Sequence, residues 1–402
     1  MISYKQAYQL TLEHIQPLGD ETVDLIAAVG RITAEDLRGR VDSPSVDVSL
    51  KDGYAIHSVD IANALSTKPV RLKLIGTVAA GGKWDGEVQR SEALRILSGA
   101  PVPLGADAIV SEEFTEMLGK FVEVTGDASP GRNILNRGTD VWIGQLLVSK
   151  GDRLHPPVVG FLAAAGYQRM PVIKQPRIAI LAIGDEVIAP GQPLVDGKLY
   201  ASNLTTLAAW CVQFGFGVET FVVGDSEIEI RDTLESCLEK YDALLTSGGT
   251  WKGERDLVVR VLDRLGWEKI YHRVRIGPGK AIGFGLYKEK PVFCLPGGPP
   301  SNQMAFLQLA LPGLQKMAGY KKFGLPQCTA QMSEDIHGQI NWTQFMHGCL
   351  SKKPYGIIFH PKKPKSRLQN MANAEAIVAI PEGQDTISKS SPVQVQLLKE
   401  FP

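Results

Sequence analysis

The chain has 402 residues, which is too many for one ordinary hydrophobic core and sets an expectation of roughly two to four domains. Its 43 lysines and arginines balance 43 aspartates and glutamates, which excludes the strongly basic surface that counterion-release binding to nucleic acid requires. Five scattered cysteines, without a C-x-x-C pair, argue against a disulfide framework, and no segment reaches about 18 uninterrupted apolar residues, so a soluble cytoplasmic protein is expected.

"SYKQAYQLTLEHIQPL" places Ala7, Leu10 and Ile15 at helical spacing, with Ser3 as N-cap and Pro17 as stop. From 43 to 135 short alternating runs such as "VRLKLIGTV" and "KFVEVTG", separated by Gly, Pro and Asp, predict an inserted β-rich module. Pro156-Pro157 and Gly166 bracket a second helix. "RIAILAI", "GVETFVVG", "DALLTSGG" and "KPVFCLPGG" are apolar strands ending in glycine, with helical stretches between them, a pattern that predicts a parallel α/β sheet. After "GLQKMAGYKK" the chain turns β-rich again and predicts a small C-terminal barrel or sheet.

Ligands of parallel sheets sit outside the carboxyl ends of the strands, which sets Gly184, Asp185 and Glu186, then Ser247, Gly248 and Gly249, then Pro296, Gly297 and Ser301 along one rim. Glycines there let a phosphate approach the main chain, although a bare strand-to-helix turn accounts for the same residues. Asp256 beside such a cradle could hold Mg²⁺ or orient an oxyanion; Glu254 and Asp256 also suit the first turn of a helix without any ligand. Lys280, behind the turn Pro278-Gly279, presents a cation near the anion site. In the N-terminal half, Asp52, Ser98 and Asp107 are polar candidates in turn-rich segments. Zinc, α/β-hydrolase and P-loop signatures are absent from the sequence.

Together "KDGYA", "RILSGAPVPLGADAIV", "RGTDVWIGQLL", "AIGDEVIAPGQPL", "SGGTWKGERD", "GPGKAIGFG" and "LPGGPPS" resemble, in order and spacing, the molybdopterin molybdenumtransferases, the MoeA and gephyrin E-domain family. The resemblance spans about residues 1 to 400. It implies Mg²⁺-dependent insertion of molybdate, or tungstate, into adenylylated molybdopterin with release of AMP, carried out by an elongated homodimer. It also implies four domains: a helical linker from 1–42 and 136–174, an inserted β-rich domain at 43–135, an α/β domain of molybdopterin-adenylyltransferase type at 175–320, and a C-terminal β-barrel at 321–402. A molybdopterin adenylyltransferase and an apo-molybdoenzyme are the implied protein partners, with neither nucleic acid nor membrane involved.

Carried over residue by residue, the resemblance makes Asp52, Ser98, Asp140, Glu186 and Asp256 catalytic candidates, with Asp225, Asp256 and Glu186 as metal candidates. The rim residues above, with Pro278, Gly279 and Lys280, become the pterin and phosphate contacts. This sequence also departs from the family pattern. Ser98 replaces a threonine, Lys51 a methionine, Ile183 a threonine and Gly277 the first lysine of a K-P-G-K turn, while "GGPP" replaces G-N-P-V. "HPKKPKSRLQNMANAEAIV" lacks a Gly-Ser run, and Trp251-Lys252 replaces small or apolar residues. Arg275, Lys252 and Lys51 are candidates to offset the missing lysine. The departures leave open an alternative, a paralogue that binds pterin or finished cofactor as carrier or delivery protein without insertion chemistry.

Overall fold

The computed structural model describes residues 1–126, 129–248, 257–354, 356–362 and 366–399. Gly249, Trp251, Lys252, Glu254 and Asp256 lie outside the described residues.

The predicted strands of the α/β region form as Arg177–Ile183, Gly217–Val223, Ala243–Ser247 and Lys290–Leu295. They are parallel, in the order Gly217–Val223, Arg177–Ile183, Ala243–Ser247, Lys290–Leu295. The apolar runs are buried because helices cover both faces: Ser202–Gln213 and the helical stretch from Pro299 to Met317 contribute to one core, Glu227–Lys240 and Leu257–Leu265 to the other. The sheet is not purely parallel, as the sequence suggested. Gly283–Tyr287 and Glu268–His272 extend it with antiparallel pairings. Lys288 and Glu289 both take positive φ in a two-residue turn between Tyr287 and Lys290, so this hairpin forms without the Asn-Gly signal that announces such turns.

Residues of the predicted inserted module form a six-stranded sheet with cores on its two faces. The segments expected to be a helical linker hold two helices, Tyr4–His14 and Pro156–Ala164, and also short strand pairs. Asp20–Asp24 pairs with Arg169–Ile173 and Leu37–Arg38 with Leu146–Val148, beside the helix Pro156–Ala164. The reason is period: Val23 and the buried Met170 and Val172 reach that core from alternating positions of paired strands. The first helix, Tyr4–His14, is capped as predicted, with Ser3 accepting from the Gln6 N–H, yet it packs elsewhere. Ala7 and Ile15 join the α/β core, and Ile2–Ser3 pairs in parallel with Val274–Gly277.

The C-terminal barrel closes. Thr343–Lys353 pairs with Gly356–Pro361, which pairs with Gln327–Met332, then Pro392–Leu397, then Ala376–Ile380, which pairs back to Thr343–Lys353. Closure removes the exposed edges of the sheet. Val274–Gly277 adds beside Thr343–Lys353 and so ties the α/β region to the barrel.

Candidate active site

The strand order puts Arg177–Ile183 between strands whose connections leave in opposite directions, so a crevice opens beyond its carboxyl end. A cleft of about 830 Å³ lies there, lined by Gly184, Glu186, Asp225, Ser247, Gly248, Gly297 and Gly298, with Leu199 and Tyr200 at its side and Arg367 and Leu368 reaching in from the barrel. A second cavity of about 620 Å³ shares Gly297 and Gly298 and is lined by Pro278, Gly279, Lys280, Pro296 and Ser301 with Gln339, Trp342 and Gln344.

Ser247 organises the floor. Its Oγ accepts from the amides of Asn203 (3.2 Å) and Asn302 (3.0 Å), which also donate to the carbonyls of Gly297 (2.7 Å) and Pro296 (2.9 Å). With both lone pairs occupied, the hydroxyl proton is directed away from its partners and can donate to a ligand oxygen. Gly248 is required by its backbone: φ is +94°, and a Cβ would lie 2.5 Å from the Ile183 carbonyl oxygen. Gly297 lies beside it, and a Cβ there would meet the Gly248 Cα at an ordinary contact distance of 3.6 Å.

On the acidic side, the Asp225 N–H donates to Asp185 (3.0 Å) and the Asp185 N–H to Asp225 (3.3 Å), which locks the two strand ends together. The Glu186 carboxylate folds back over Gly184, where a Cβ would meet it. The Glu186 and Ile188 carbonyls accept from Leu199 and Ala201, so this loop forms the cleft wall. Mg²⁺ takes one or two carboxylates and completes its shell with phosphate oxygens and waters. Glu186 and Asp225 supply that donor type in the cleft and fit such an ion, although among the described residues no three acids, histidines or cysteines form a ligand set by themselves.

Lys280 does not project from the sheet rim itself; it follows Val274–Gly277, in the sheet shared with the barrel, and its Nζ lies 5.2 Å from the centre of the Trp342 ring. Arg275 does not offset the missing lysine, because its guanidinium is bound to Glu382 at 2.6 Å. Lys51 is exposed in the inserted module.

The Asp52 carboxylate accepts from the Ser98 N–H at 2.7 Å, because Gly53–Ile56 and Glu92–Ile96 are adjacent antiparallel strands. Asp140 is held elsewhere in the chain, its N–H donating to the Ser43 carbonyl. All three are exposed, and among the described residues no hydrogen bond or ion pair joins them to Glu186, Ser247 or Lys280. Asp107, a candidate from turn chemistry, instead accepts from the Ser58 N–H and hydroxyl at the start of a short 3₁₀ turn. Asn203 and Arg367 line the cleft, and the buried Asn302 braces Ser247, without having been singled out by sequence. The signal for the two asparagines was their place in the first turn of helices that follow rim loops.

The fold and cleft define a multidomain protein built around a molybdopterin-binding α/β unit. A family model described as "MoeA N-terminal region (domain I and II)" matches residues 2–166, and one described as "Probable molybdopterin binding domain" matches residues 179–316. The "Putative molybdopterin biosynthesis protein" of Methanocaldococcus jannaschii is 32% identical over 99% of this chain and 98% of its own. The molybdopterin molybdenumtransferase of Bacillus subtilis is 28% identical over 96% of this chain and 92% of its own. The crystal structure of the molybdopterin biosynthesis MoeA protein of Pyrococcus horikoshii superposes with a TM-score of 0.86 at 29% identity, covering all of both chains. The chain belongs to the molybdopterin molybdenumtransferase, or MoeA, family, transferases of molybdenum cofactor biosynthesis. No helix among the described residues is long and apolar enough to cross a membrane.

Proposed function

We propose that this protein inserts molybdate or tungstate into adenylylated molybdopterin with release of AMP, in the cytoplasm and as a homodimer. The observation that carries this reading is the convergence of Gly184–Glu186, Asp225, Ser247–Gly248 and Gly297–Gly298 on one cleft at the switch point of the sheet. In this reading Ser247 donates to a phosphate oxygen while Gly248 and Gly297 admit the ligand to the main chain. Glu186 and Asp225, with Asp256, would hold Mg²⁺, which would supply positive charge against the diphosphate oxygens. Lys280 and Ser301 face the smaller cavity, a suitable berth for the incoming oxyanion.

Asp52, Ser98 and Asp140 belong to the same reading as groups that direct water at the cleaved bond from the second subunit. Val41, Trp142, Ile143 and Leu146 support the dimer: each is at least 44% exposed, and they lie on one ribbon of the linker, a surface suited to burial against a second copy. The domain limits 1–42 with 136–174, 43–135, 175–320 and 321–402 are part of the proposal, supported by separate cores within the inserted, linker and barrel segments. A molybdopterin adenylyltransferase would supply the substrate, and an apo-molybdoenzyme would receive the product.

The test is incubation of purified protein with adenylylated molybdopterin, Mg²⁺ and molybdate or tungstate, following AMP. Release that depends on the oxyanion supports insertion. Tight pterin binding without AMP release would select the carrier reading, which Gly277 favours, since it leaves the smaller cavity with Lys280 as its lining cation among the described residues.

A further inference from the structure

We propose that Arg367, carried by the barrel, is a phosphate-binding cation of the main cleft and sets this chain's grip on its anionic substrate; this rests on the function proposed above. Among the described residues that line the cleft, Glu186 and Asp225 are the acids and Arg367 is the single cation. A diphosphate entering the cleft therefore meets two carboxylates, and its charge needs a counterpart besides a metal ion.

The other nearby cations are committed. Arg275 is bound to Glu382, the Lys198 ammonium donates to the Asp185 carbonyl, and Lys280 faces the neighbouring cavity over Trp342. Gly277 has no side chain to offer. The Arg367 side chain makes no hydrogen bond or ion pair among the described residues, so its five donors are available.

Its position is fixed by its support. The helix Arg367–Ala372 packs against Pro299–Ala305, whose preceding residues Gly297 and Gly298 form the cleft floor. Ser366 caps it by accepting from the Gln369 N–H, and Lys362 and the Asn373 carbonyl, 2.7 Å apart, close the segment on its far side. Arg367 thus lines the same cleft as Ser247 and Gly248. A guanidinium presents its donors in a planar fork matched to two phosphate oxygens, which an ammonium cannot reproduce.

The experiment is equilibrium binding of adenylylated molybdopterin to the full chain at two salt concentrations, with AMP as a second probe. Arg367→Ala should weaken binding roughly ten- to hundredfold, the range for one charge-assisted contact, and should flatten the salt dependence. Arg367→Lys should recover part of the loss. Arg231→Ala, at an exposed ion pair with Asp232 away from the cleft, should bind as wild type. Unchanged affinity in Arg367→Ala would overturn the proposal while leaving the function intact. If wild type binds AMP through Arg367 but not the pterin adduct, the proposed function fails and the anion site stands; a wild type that binds neither probe overturns both.

Discussion

Ser247 shows how much one hydroxyl can organise. It is 6% exposed and holds the amides of Asn203 and Asn302, which in turn hold the two ends of the Pro296–Gly297 loop. Ser247→Ala leaves each amide one hydrogen bond short, and a cost of about 1 to 3 kcal/mol is expected, read as a lower denaturation midpoint together with weaker ligand binding. Gly248→Ala must move the strand end away from the Ile183 carbonyl and is expected to cost about 1 kcal/mol or more, and to weaken pterin binding beyond what Ser247→Ala does. At this scale the sequence pointed to the glycines and Ser247, because several glycine-ended strands fall along one rim, where a single such turn would have needed no ligand. It concealed Asn203 and Asn302, because an asparagine in a first helical turn explains itself by local hydrogen bonding. The ion pair that occupies Arg275 was equally hidden, as Glu382 is remote in sequence.

Between elements, buried polar pairs join the barrel to the helical stretch below the cleft. His347 on Thr343–Lys353 meets Gln303 at 3.1 Å, and the amides of Gln308 and Gln396 exchange hydrogen bonds. Burial, with Lys362 adding to it, lowers the His347 pKa to about 4. The folded protein therefore keeps this ring neutral where an unfolded one, near 6.5, binds a proton. The stability His347 contributes is full above about 6.5 and is lost as pH falls to about 4, by as much as about 3 kcal/mol. Denaturation midpoints followed from pH 7 to 4 should fall less steeply for His347→Gln than for wild type. Strands and helices of the α/β unit were legible because their periods and glycine ends agree. The antiparallel hairpin was not, since Lys288-Glu289 gives no hint of positive φ.

For the whole molecule, the proposed function makes the exposed Asp52–Ser98 pair and the rim cleft two halves of one site, contributed by different subunits. Separately inactive Asp52→Ala and Glu186→Ala proteins, mixed and allowed to exchange subunits, should regain roughly a quarter of wild-type AMP release if each site is built from both chains. No recovery with confirmed exchange would place the two halves in separate roles. Trp142→Asp should shift the protein to monomer in sedimentation and abolish turnover while leaving the fold intact.

The pairing of Ile2–Ser3 with Val274–Gly277 bears on how the chain is made. Ile2–Ser3 finds its partner only after some 270 further residues have been synthesised, and the barrel strand beside that partner comes later still. The inserted module can fold during this interval from its own contacts, whereas the strand before Lys280 waits for Thr343–Lys353 to complete its pairing. A chain still lacking Gln339, Trp342 and Gln344 therefore has only part of the wall of the smaller cavity.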